Sequence, residues 1–283
     1  MLNVMTIDLE DWFHANYESQ SSFTKMGSIV EETTERLLVL LEKYKCKCTF
    51  FVLGSVAENH RSLVLKISRS GHEIASHGYA HQLVYQQTPE VFRNDIAKAK
   101  SLTEDITGLP CRGYRAPSWS ITKESLWALE ILAQLGFSYD SSIFPTRNFL
   151  YGIPDAPRYA YRPLINGSAT GLVEIPPSTM RIAGLNIPFS GGFYFRACPE
   201  WLIKRFSIMT NRKKQPVIFY LHPREIAPDQ PKLDLSFKNH LIHYIGIRGC
   251  FKKLESTLRT FPTVTVLKQL AGVKRTVPDK ALG

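Results

Sequence analysis

The chain has 283 residues, of which 44% are apolar and 21% charged, so it can bury the core of one large α/β domain or two small ones and is not a disordered chain. Its formal net charge of +10 favours anionic partners such as lipid headgroups or acidic glycans. The basic residues are scattered instead of forming blocks of five or more, and no nucleic-acid partner is therefore expected.

Five cysteines occur, an odd number at low density and without a CxxC pair. This usage excludes a disulfide framework and favours a reducing compartment. Cys46 and Cys48 point the same way if they lie on a strand, but no second cysteine pair completes a zinc pattern. Buried apolar positions explain both of them better than half of a metal site.

The sequence offers no targeting or membrane-spanning segment. The opening "MLNVMTI" lacks a basic region and is too short for the apolar part of a signal peptide. No run of 18 apolar residues occurs, so no transmembrane helix is expected. We therefore expect a cytoplasmic protein, for which the inner face of the membrane is an anionic partner surface.

Strand and helix patterns alternate along the first half of the chain. The predicted strands are 3–7, 47–54, 72–78, 111–117 and 137–145, and the predicted helices are 28–44, 61–71, 88–108 and 122–136. The helix at 88–108 has the clearest limits, because Thr88 can cap it, Pro89 suits its first turn and Gly108 can end it. Such alternation predicts an α/β fold with a parallel sheet, open or closed into a barrel. In these folds the chemistry gathers at the carboxyl ends of the strands.

Residues 146–198 have a different composition, rich in proline, glycine and aromatic residues. We expect a long, ordered insertion with a few short strands, whose aromatic residues either stack on sugar rings or form a core beneath a loop. The remaining predicted elements are a helix at 199–210, a strand at 216–221, a helical stretch at 235–259 and a strand at 263–267. No linker divides the chain, so we predict one domain, 1–272, and a flexible basic tail, 273–283.

Two histidines, His77 and His81 in "ASHGYAH", are spaced so that one helical turn or tight loop places both imidazoles on one face. Two neutral imidazoles suit a divalent transition metal, zinc above all, and one carboxylate would complete the site while leaving positions open. Asp8, Glu10 and Asp11 follow the neighbouring strand and end at the same predicted edge. A turn or helix cap explains one or two of these acids, but not their position beside a histidine pair.

Three further polar residues are strand-end residues in this prediction: Arg115 in "YRAP", Asp140 in "YDSS" and His222 in "FYLHP". Each alone is more often a structural ion pair or a satisfied strand-end residue than a catalytic group. Their joint order along the chain is the informative feature.

The ordered stretches "TIDLED", "SHGYAH", "RAPSW", "YDSS" and "FYLHP" resemble the five motifs of the polysaccharide deacetylase family, which is carbohydrate esterase family four with NodB-like homology. The resemblance covers roughly residues 4–225 and implies a distorted (β/α)7-type barrel, here with the aromatic insertion. The stretches "DLEDWFH", "YGIPDAPRYAYR" and "PFSGGFYFR" further resemble a bacterial subgroup linked to exopolysaccharide synthesis.

The resemblance implies a division of roles. Asp8 is the expected general base, held and oriented by Arg115. His222 is the expected general acid, and Asp140 is expected to tune its charge.

The implied metal ligands are His77, His81 and one carboxylate of the acidic cluster. A candidate donor to the oxyanion is the backbone near Tyr79 or Ala80, or beyond the motif "SHGYAH". The family has two adjacent aspartates in its first motif, whereas Leu9 occupies the second position here. Strand alternation puts Glu10 on the side of Asp8 and favours it as the ligand. A tight turn would favour Asp11 instead.

We therefore predict a metal-dependent hydrolase that removes N-acetyl groups, or another acyl group, from an amino-sugar glycan or a lipid-linked saccharide. Zn²⁺ is the expected metal, with Co²⁺ or Ni²⁺ as alternatives. Two other interpretations remain: an amidohydrolase of the same fold acting on a small non-sugar amide or formamide, and a non-catalytic glycan-binding relative. The sequence does not indicate an oligomeric state.

Overall fold

A curved, open sheet of parallel strands forms the centre of the structure, a computed structural model that describes residues 3–14, 27–148, 150–262, 264–272 and 278–282. The strands are β1 Asn3–Leu9, β2 Thr49–Val52, β3 Glu73–Ser76, β4 Gly113–Tyr114, β5 Tyr139–Asp140, β6 Arg162–Ile165, β7 Ser168–Ala169, β8 Val173–Glu174, β9 Thr179–Ile182, β10 Leu185–Pro188, β11 Ile218–Leu221, β12 Val264–Thr265 and β13 Asp279–Ala281. Seven of them follow one another in the order β11-β1-β2-β3-β4-β5-β8, and β12 adds a short strand beside β1. All of these pairings are parallel, which confirms the predicted (β/α)7-type architecture.

Helices cover the outer face of this sheet. They are α1 Val30–Lys43, α2 Gly54–Asn59, α3 Arg61–Arg69, α4 Pro89–Thr107, α5 Trp127–Gln134, α6 Gly192–Ala197, α7 Glu200–Arg212, α8 Phe237–Tyr244 and α9 Ile247–Thr260. The short helix α10 Leu267–Gly272 lies instead in the apolar cluster of the opposite sheet face, with Val4 and Phe51. The largest apolar cluster joins the outer side chains of β1, β2 and β11 to the inner faces of α1, α3, α7 and α9. Hydrophobic burial against these helices therefore fixes which face of each strand points inward.

The strand β1 shows how this orientation arises. Met5, Ile7 and Leu9 pack in the helix-side core, whereas Val4 belongs to a separate inner cluster. Because side chains alternate along a strand, Asp8 points with Val4 into the sheet's concave side. The strand runs two residues further than predicted, so the first acid of the cluster lies within it.

The predicted limits of α4 are confirmed. The Thr88 side chain accepts a hydrogen bond from the Val91 N–H, and Gly108 ends the helix in the left-handed conformation. Gly54, in contrast, begins α2 instead of closing a strand. A Cβ at Gly54 would lie 2.5 Å from the Tyr79 side chain, so glycine permits the close approach of the loop that follows β3.

The insertion at 146–198 contains β6 to β10 and α6. Its β9–β10 pair forms an antiparallel hairpin, in agreement with the few short strands expected there. Several of its aromatic side chains pack with residues of the barrel. Tyr151 stacks on Phe144 with ring centroids 5.7 Å apart, and Tyr194 lies 6.4 Å from the same ring. Much of the aromatic content around the insertion therefore serves a core beneath a loop.

The structure describes part of the predicted tail. Residues Asp279–Ala281 form β13, which pairs in parallel with β6. Residues 273–277 and 283 lie outside the described residues. The division into one domain, 1–272, and a tail stays a prediction.

No helix within the described ranges combines the length and the apolar character that crossing a bilayer requires.

Candidate metal and acid–base site

Two carboxylates at the end of β1 begin the site. Asp8 is the penultimate residue of β1, Glu10 follows the strand, and both are almost fully buried. Buried carboxylates need compensating charges or ligands, because an isolated ionised group loses its hydration. Strands β3, β4 and β11 of the same parallel sheet end at this edge, and the residues that follow them supply these partners.

His77 and His81 lie in the loop after β3 and face Glu10. The Nε2 atom of His81 is 2.6 Å from Glu10 Oε2, and Nε2 of His77 is 3.7 Å from the same oxygen. His77 Nδ1 lies 2.8 Å from the Arg115 carbonyl oxygen, which can only accept. Nδ1 therefore carries the proton, and Nε2 presents a lone pair toward Glu10.

These three side chains fit a divalent metal. Among the described residues they are the one group of three whose ligating atoms lie within 4.8 Å of one another, and all three are buried. Glu10 Oε2 has no hydrogen-bond partner despite its short distance to His81, so the geometry is that of two ligands facing a common centre. Burial opposes ionisation, but the imidazoles of His81 and His222 outweigh it and hold the pKa of Glu10 well below its usual range. The carboxylate is therefore ready to bind a cation.

The loop that carries the histidines is held by an acid on α4. The Tyr79 N–H donates to Asp95 Oδ2 at 2.7 Å, and the Ala80 N–H donates to Asp95 Oδ1 at 3.2 Å. His81 adopts a left-handed backbone conformation with φ of 56°, which such anchoring can maintain. Both amides are already engaged, so the prediction that Tyr79 or Ala80 donates to an oxyanion is not supported.

Asp11, the alternative ligand, lies outside this group. Its Oδ1 accepts hydrogen bonds from the Trp12 N–H at 2.9 Å and the Ile29 N–H at 3.2 Å, just before α1 begins. Burial raises the pKa of Asp11, against the opposing effect of its hydrogen bonds. The structure therefore gives Asp11 a capping position and corrects its inclusion among the metal ligands.

Arg115, after β4, contacts Asp8 directly. Its Nη1 donates to Asp8 Oδ1 at 2.7 Å and to Thr6 Oγ1 at 2.8 Å. The guanidinium is fully buried and lies 4.2 Å from the centroid of the Phe51 ring. A buried ion pair with additional hydrogen bonds fixes the orientation of the Asp8 carboxylate.

His222 faces both carboxylates from the end of β11. Its Nε2 is 3.7 Å from Asp8 Oδ2 and 3.6 Å from Glu10 Oε1. On the other side of the ring, Nδ1 is 3.2 Å from Glu225 Oε2. Burial lowers the pKa of His222, but the carboxylates of Glu10, Glu225 and Asp8 outweigh burial and raise it. The imidazolium form therefore persists to higher pH than for an exposed histidine.

Asp140 is not placed to tune His222. Its Oδ1 accepts a hydrogen bond from Ser142 Oγ at 2.5 Å, and its closest acidic neighbour is Glu174 of β8. Burial raises the pKa of Asp140 and holds that of Glu174 well above its usual range, the Asp140 charge adding to the shift of Glu174. The predicted role of Asp140 thus needs a correction: Glu225 occupies the place beside His222.

Sequence reasoning missed Glu225 and its partner Arg196. The Arg196 Nε donates to Glu225 Oε1 at 2.7 Å, and both side chains are buried. Arg196 also donates to the carbonyls of Ile242 and His243 at the end of α8. The spacing His222-x-x-Glu225 was a local signal for the first residue, whereas the long-range pairing of Arg196 had none.

His14 is a third residue that sequence reasoning missed. Its Nδ1 accepts a hydrogen bond from the Asp11 N–H at 2.9 Å, and its ring lies 6.1 Å from the ring of His81. Burial lowers the pKa of His14 to about 4, so the imidazole is neutral near pH 7. It adds a neutral polar group to the edge of the site without adding charge.

Comparison with protein families divides the chain into two consecutive matches. Residues 22–139 match the family described as polysaccharide deacetylase. Residues 141–271 match a family described as a domain of unknown function, DUF3473. The first match contains the histidine loop and Arg115, and the second contains His222 and Glu225.

Individual relatives agree with the first match. A peptidoglycan deacetylase from Helicobacter pylori is 31% identical over 152 residues, which are 50% of this chain and 51% of that protein. The chain thus spans about half the length of this curated relative. A crystal structure of a candidate polysaccharide deacetylase from Mycobacterium smegmatis superposes with a TM-score of 0.65 at 20% identity, covering 95% of this chain and 88% of the other. The Puue allantoinase structure superposes with a TM-score of 0.63 at 16% identity, covering 95% and 88%, and shares the fold.

Proposed function

We propose that the chain, of which residues 22–139 match the polysaccharide deacetylase family, hydrolyses the N-acyl group, most simply N-acetyl, of an amino-sugar glycan. The observation that carries the proposal is the convergence of three groups at one sheet edge. An Arg-held carboxylate at Asp8 and an imidazole at His222 face each other across 3.7 Å. The group formed by Glu10, His77 and His81 lies beside this pair.

In the proposed reaction, Asp8 is the general base. The Arg115 hydrogen bond occupies Oδ1, which leaves Oδ2 free to accept a proton from the attacking water. Because Arg115 is buried and also bonded to Thr6 and Ser141, the carboxylate cannot turn away from the site. Positioning of this kind lowers the cost of orienting the base in the transition state.

Glu10, His77 and His81 are proposed to hold a divalent metal, Zn²⁺ or alternatively Co²⁺ or Ni²⁺. When bound, such an ion acts as a Lewis acid that makes water more acidic and polarises the acyl carbonyl. The three residues supply one carboxylate and two imidazoles, and the Arg115 carbonyl fixes the tautomer of His77. These three ligands would leave the side of the metal site that faces Asp8 and His222 open to water and substrate.

His222 is the proposed general acid. Amide hydrolysis requires a proton on the departing nitrogen, and a raised pKa keeps His222 protonated near neutral pH. The Nε2 atom faces the site, while Nδ1 lies against Glu225. Glu225 in turn is held by Arg196, so the acid is oriented through two buried residues.

The finer identity of the substrate and the location of the protein are further proposals. We propose an N-acetylated exopolysaccharide or its lipid-linked precursor as the substrate, with the reaction at the cytoplasmic face of the membrane. The support is the net charge of +10 and the resemblance of "DLEDWFH" and "PFSGGFYFR" to an exopolysaccharide-associated subgroup.

Release of acetate tests the reaction. The full chain, freed of metal by a chelator and reconstituted with Zn²⁺ or Co²⁺, is incubated with N-acetylglucosamine oligomers or an N-acetylated exopolysaccharide. We expect acetate and an equivalent of free amine with the reconstituted protein, and at least tenfold less with the chelated protein.

The alternatives predict different outcomes of the same assay. Turnover of formamides or small cyclic amides, without turnover of any glycan, would support a non-sugar amidohydrolase. Glycan binding without acetate release at full metal occupancy would support a non-catalytic relative, and either result contradicts the proposal.

The alkaline limb of the pH–rate profile tests the role of Glu225. His222 acts only when protonated, so kcat/KM falls as the pH rises through its raised pKa. Glu225→Gln removes one carboxylate that raises this pKa, and the limb should move to lower pH by roughly one to two units. The measurement is kcat/KM between pH 5 and 10 at saturating metal.

Asp140→Asn is the matched control. Asp140 is a buried carboxylate without contact to His222, so its substitution should leave the alkaline limb in place. Because Glu225→Gln leaves Arg196 without its anion, the melting temperature of each variant is recorded beside the profile. A shift with Asp140→Asn and none with Glu225→Gln would refute the assignment.

A further inference from the structure

The outer face of α7 carries large apolar side chains in water. Trp201 is 64% exposed, Ile208 43% and Met209 38%. Arg205 and Arg212 are exposed on the same helix. At 100° per residue all five positions lie within about a third of the helix circumference, so they form one stripe.

This stripe is not needed to hold α7 in place. The opposite face packs Ile203, Phe206 and Thr210 into the helix-side core. Among the four tryptophans of the chain, Trp201 alone is exposed. A contiguous stripe of large apolar side chains next to cations is a mark of an interaction surface.

The neighbouring helix α9 extends the positive charge of this face. Glu200 and Lys204 of α7 are both hydrogen-bonded to Ser256 of α9, at 2.6 and 2.9 Å, which places the two helices side by side. On α9, Arg248, Lys252 and Arg259 are exposed. On the helix they lie within about 80° of Ser256, so they border the seam with α7.

Acidic groups at this seam are already engaged. Glu200 is bonded to Lys204 at 2.6 Å, and Glu255 is bonded to Lys43 at 2.6 Å. The exposed face thus combines apolar side chains with a net positive charge. We define the α7 face as the exposed residues Trp201, Arg205, Ile208, Met209 and Arg212 together with Arg248, Lys252 and Arg259 of α9.

We propose that the α7 face docks the protein on an anionic lipid bilayer. Tryptophan and aliphatic side chains partition to the level of the headgroups, and arginines extend to the phosphates beside them. Each cation near an anionic surface adds to the attraction, so several of them together with a few apolar residues give reversible binding. A protein partner would match the apolar residues, but the surrounding cations favour an anionic surface.

The end of the α7 face that carries Trp201 lies toward the sheet edge with the metal and acid–base site. Asn211, at the end of α7, is hydrogen-bonded to Asn3 at the start of β1, so this end lies at the edge opposite Asp8. The chain just before α7 contains Arg196, which binds Glu225 beside His222. Trp201 therefore lies about 15 Å along the helix toward the edge that carries the site. A bilayer on the α7 face would keep the site near membrane-borne saccharides.

Vesicle binding of the full chain tests this inference. Vesicles of phosphatidylcholine alone are compared with vesicles containing 30% phosphatidylglycerol, by cosedimentation and by tryptophan fluorescence. We expect binding to the anionic vesicles only, a blue shift that is lost in Trp201→Phe, and weakening in 0.5 M salt. Binding to the anionic vesicles should weaken at least tenfold in each of two double variants. One is Arg205→Glu with Arg212→Glu, and the other is Trp201→Ser with Ile208→Ser.

Matched controls change similar residues elsewhere. Arg69→Glu with Arg112→Glu reverses two exposed arginines, on α3 and just before β4, and Val39→Ser removes an exposed apolar side chain of α1. These controls should bind as the wild type does. All variants should release acetate from soluble oligomers at the wild-type rate, so failure of vesicle binding is distinguishable from failure of the proposed reaction.

Four outcomes would overturn the inference. The first is binding to neutral vesicles as strong as binding to anionic ones, and the second is a loss of binding in the control variants as large as in the α7-face variants. The third is an affinity for double-stranded DNA equal to that for anionic vesicles. The fourth is a dimer, seen by analytical ultracentrifugation, that the Trp201→Ser, Ile208→Ser variant dissociates. The last result would assign the α7 face to a second copy of the chain.

Discussion

Asp8→Asn should lower kcat/KM by roughly 10³-fold while leaving the metal content unchanged. The asparagine Oδ1 can still accept the Arg115 hydrogen bond, so the side chain stays in position. What disappears is the proton acceptor that faces the site, and loss of a general base typically costs 10²- to 10⁴-fold. The measurement is acetate release at saturating metal, with metal content determined on the same sample.

The same substitution should also destabilise the fold. Arg115 is fully buried, and Asp8 is its ion-pair partner at 2.7 Å. A buried cation left without its counter-charge costs about 3–5 kcal/mol. We therefore expect the midpoint of denaturant unfolding to fall, which must be separated from the effect on catalysis.

A double variant separates the two effects. Asp8→Asn combined with Arg115→Gln removes both charges and should recover much of the lost stability, because no unpaired charge remains buried. Turnover should stay at the level of Asp8→Asn. If the double variant regained activity together with stability, the role of Asp8 would be structural and not catalytic. The same conclusion would follow if Asp8→Asn alone kept more than a tenth of the wild-type activity.

The arrangement of the first acids was predictable because it follows from a local rule. Strand alternation places Asp8 on the face opposite Ile7 and Leu9, and the burial of those apolar residues against helices fixes which face is inner. Glu10 continues the same alternation beyond the strand and meets His81. The parallel order of β1, β2 and β3 then brings the histidine loop to the same edge.

The partner of His222 was not predictable by the same rule. Asp140 ends β5 and His222 follows β11, but four strands separate β5 from β11 in the sheet order. Glu225 reaches His222 through a short turn, and its own partner Arg196 comes from the aromatic insertion. A pairing between residues 29 positions apart depends on the packing of loops, for which the sequence carries no periodic signal.

The end of the chain gives a second example. The segment "DKA" contains two charged residues and no β-branched one, so propensity predicts a loop. It forms β13 because β6 offers an unpaired edge at Arg162–Leu164. Tertiary pairing overrides propensity here, as it commonly does for short strands.

Glu10 and Asp11 are adjacent acids with different contacts, which makes them a matched pair for a metal-binding experiment. Glu10 lies in the group with His77 and His81, whereas Asp11 accepts two backbone N–H groups before α1. Glu10→Gln should weaken Zn²⁺ binding by roughly 10²- to 10³-fold, the share of one ligand in a typical protein zinc site. Asp11→Asn keeps an oxygen acceptor and should bind Zn²⁺ within a few-fold of the wild type.

Calorimetric titration of the chelated proteins with Zn²⁺ gives the two affinities, and thermal shifts give an independent check. A metal that binds only the folded state raises its stability with concentration, so the melting temperature of Asp11→Asn should rise with Zn²⁺ as in the wild type. The melting temperature of Glu10→Gln should respond only at far higher Zn²⁺ concentration. Loss of the metal response in Asp11→Asn, with its retention in Glu10→Gln, would reverse the ligand assignment and show that the turn after β1 presents the second acid to the histidines.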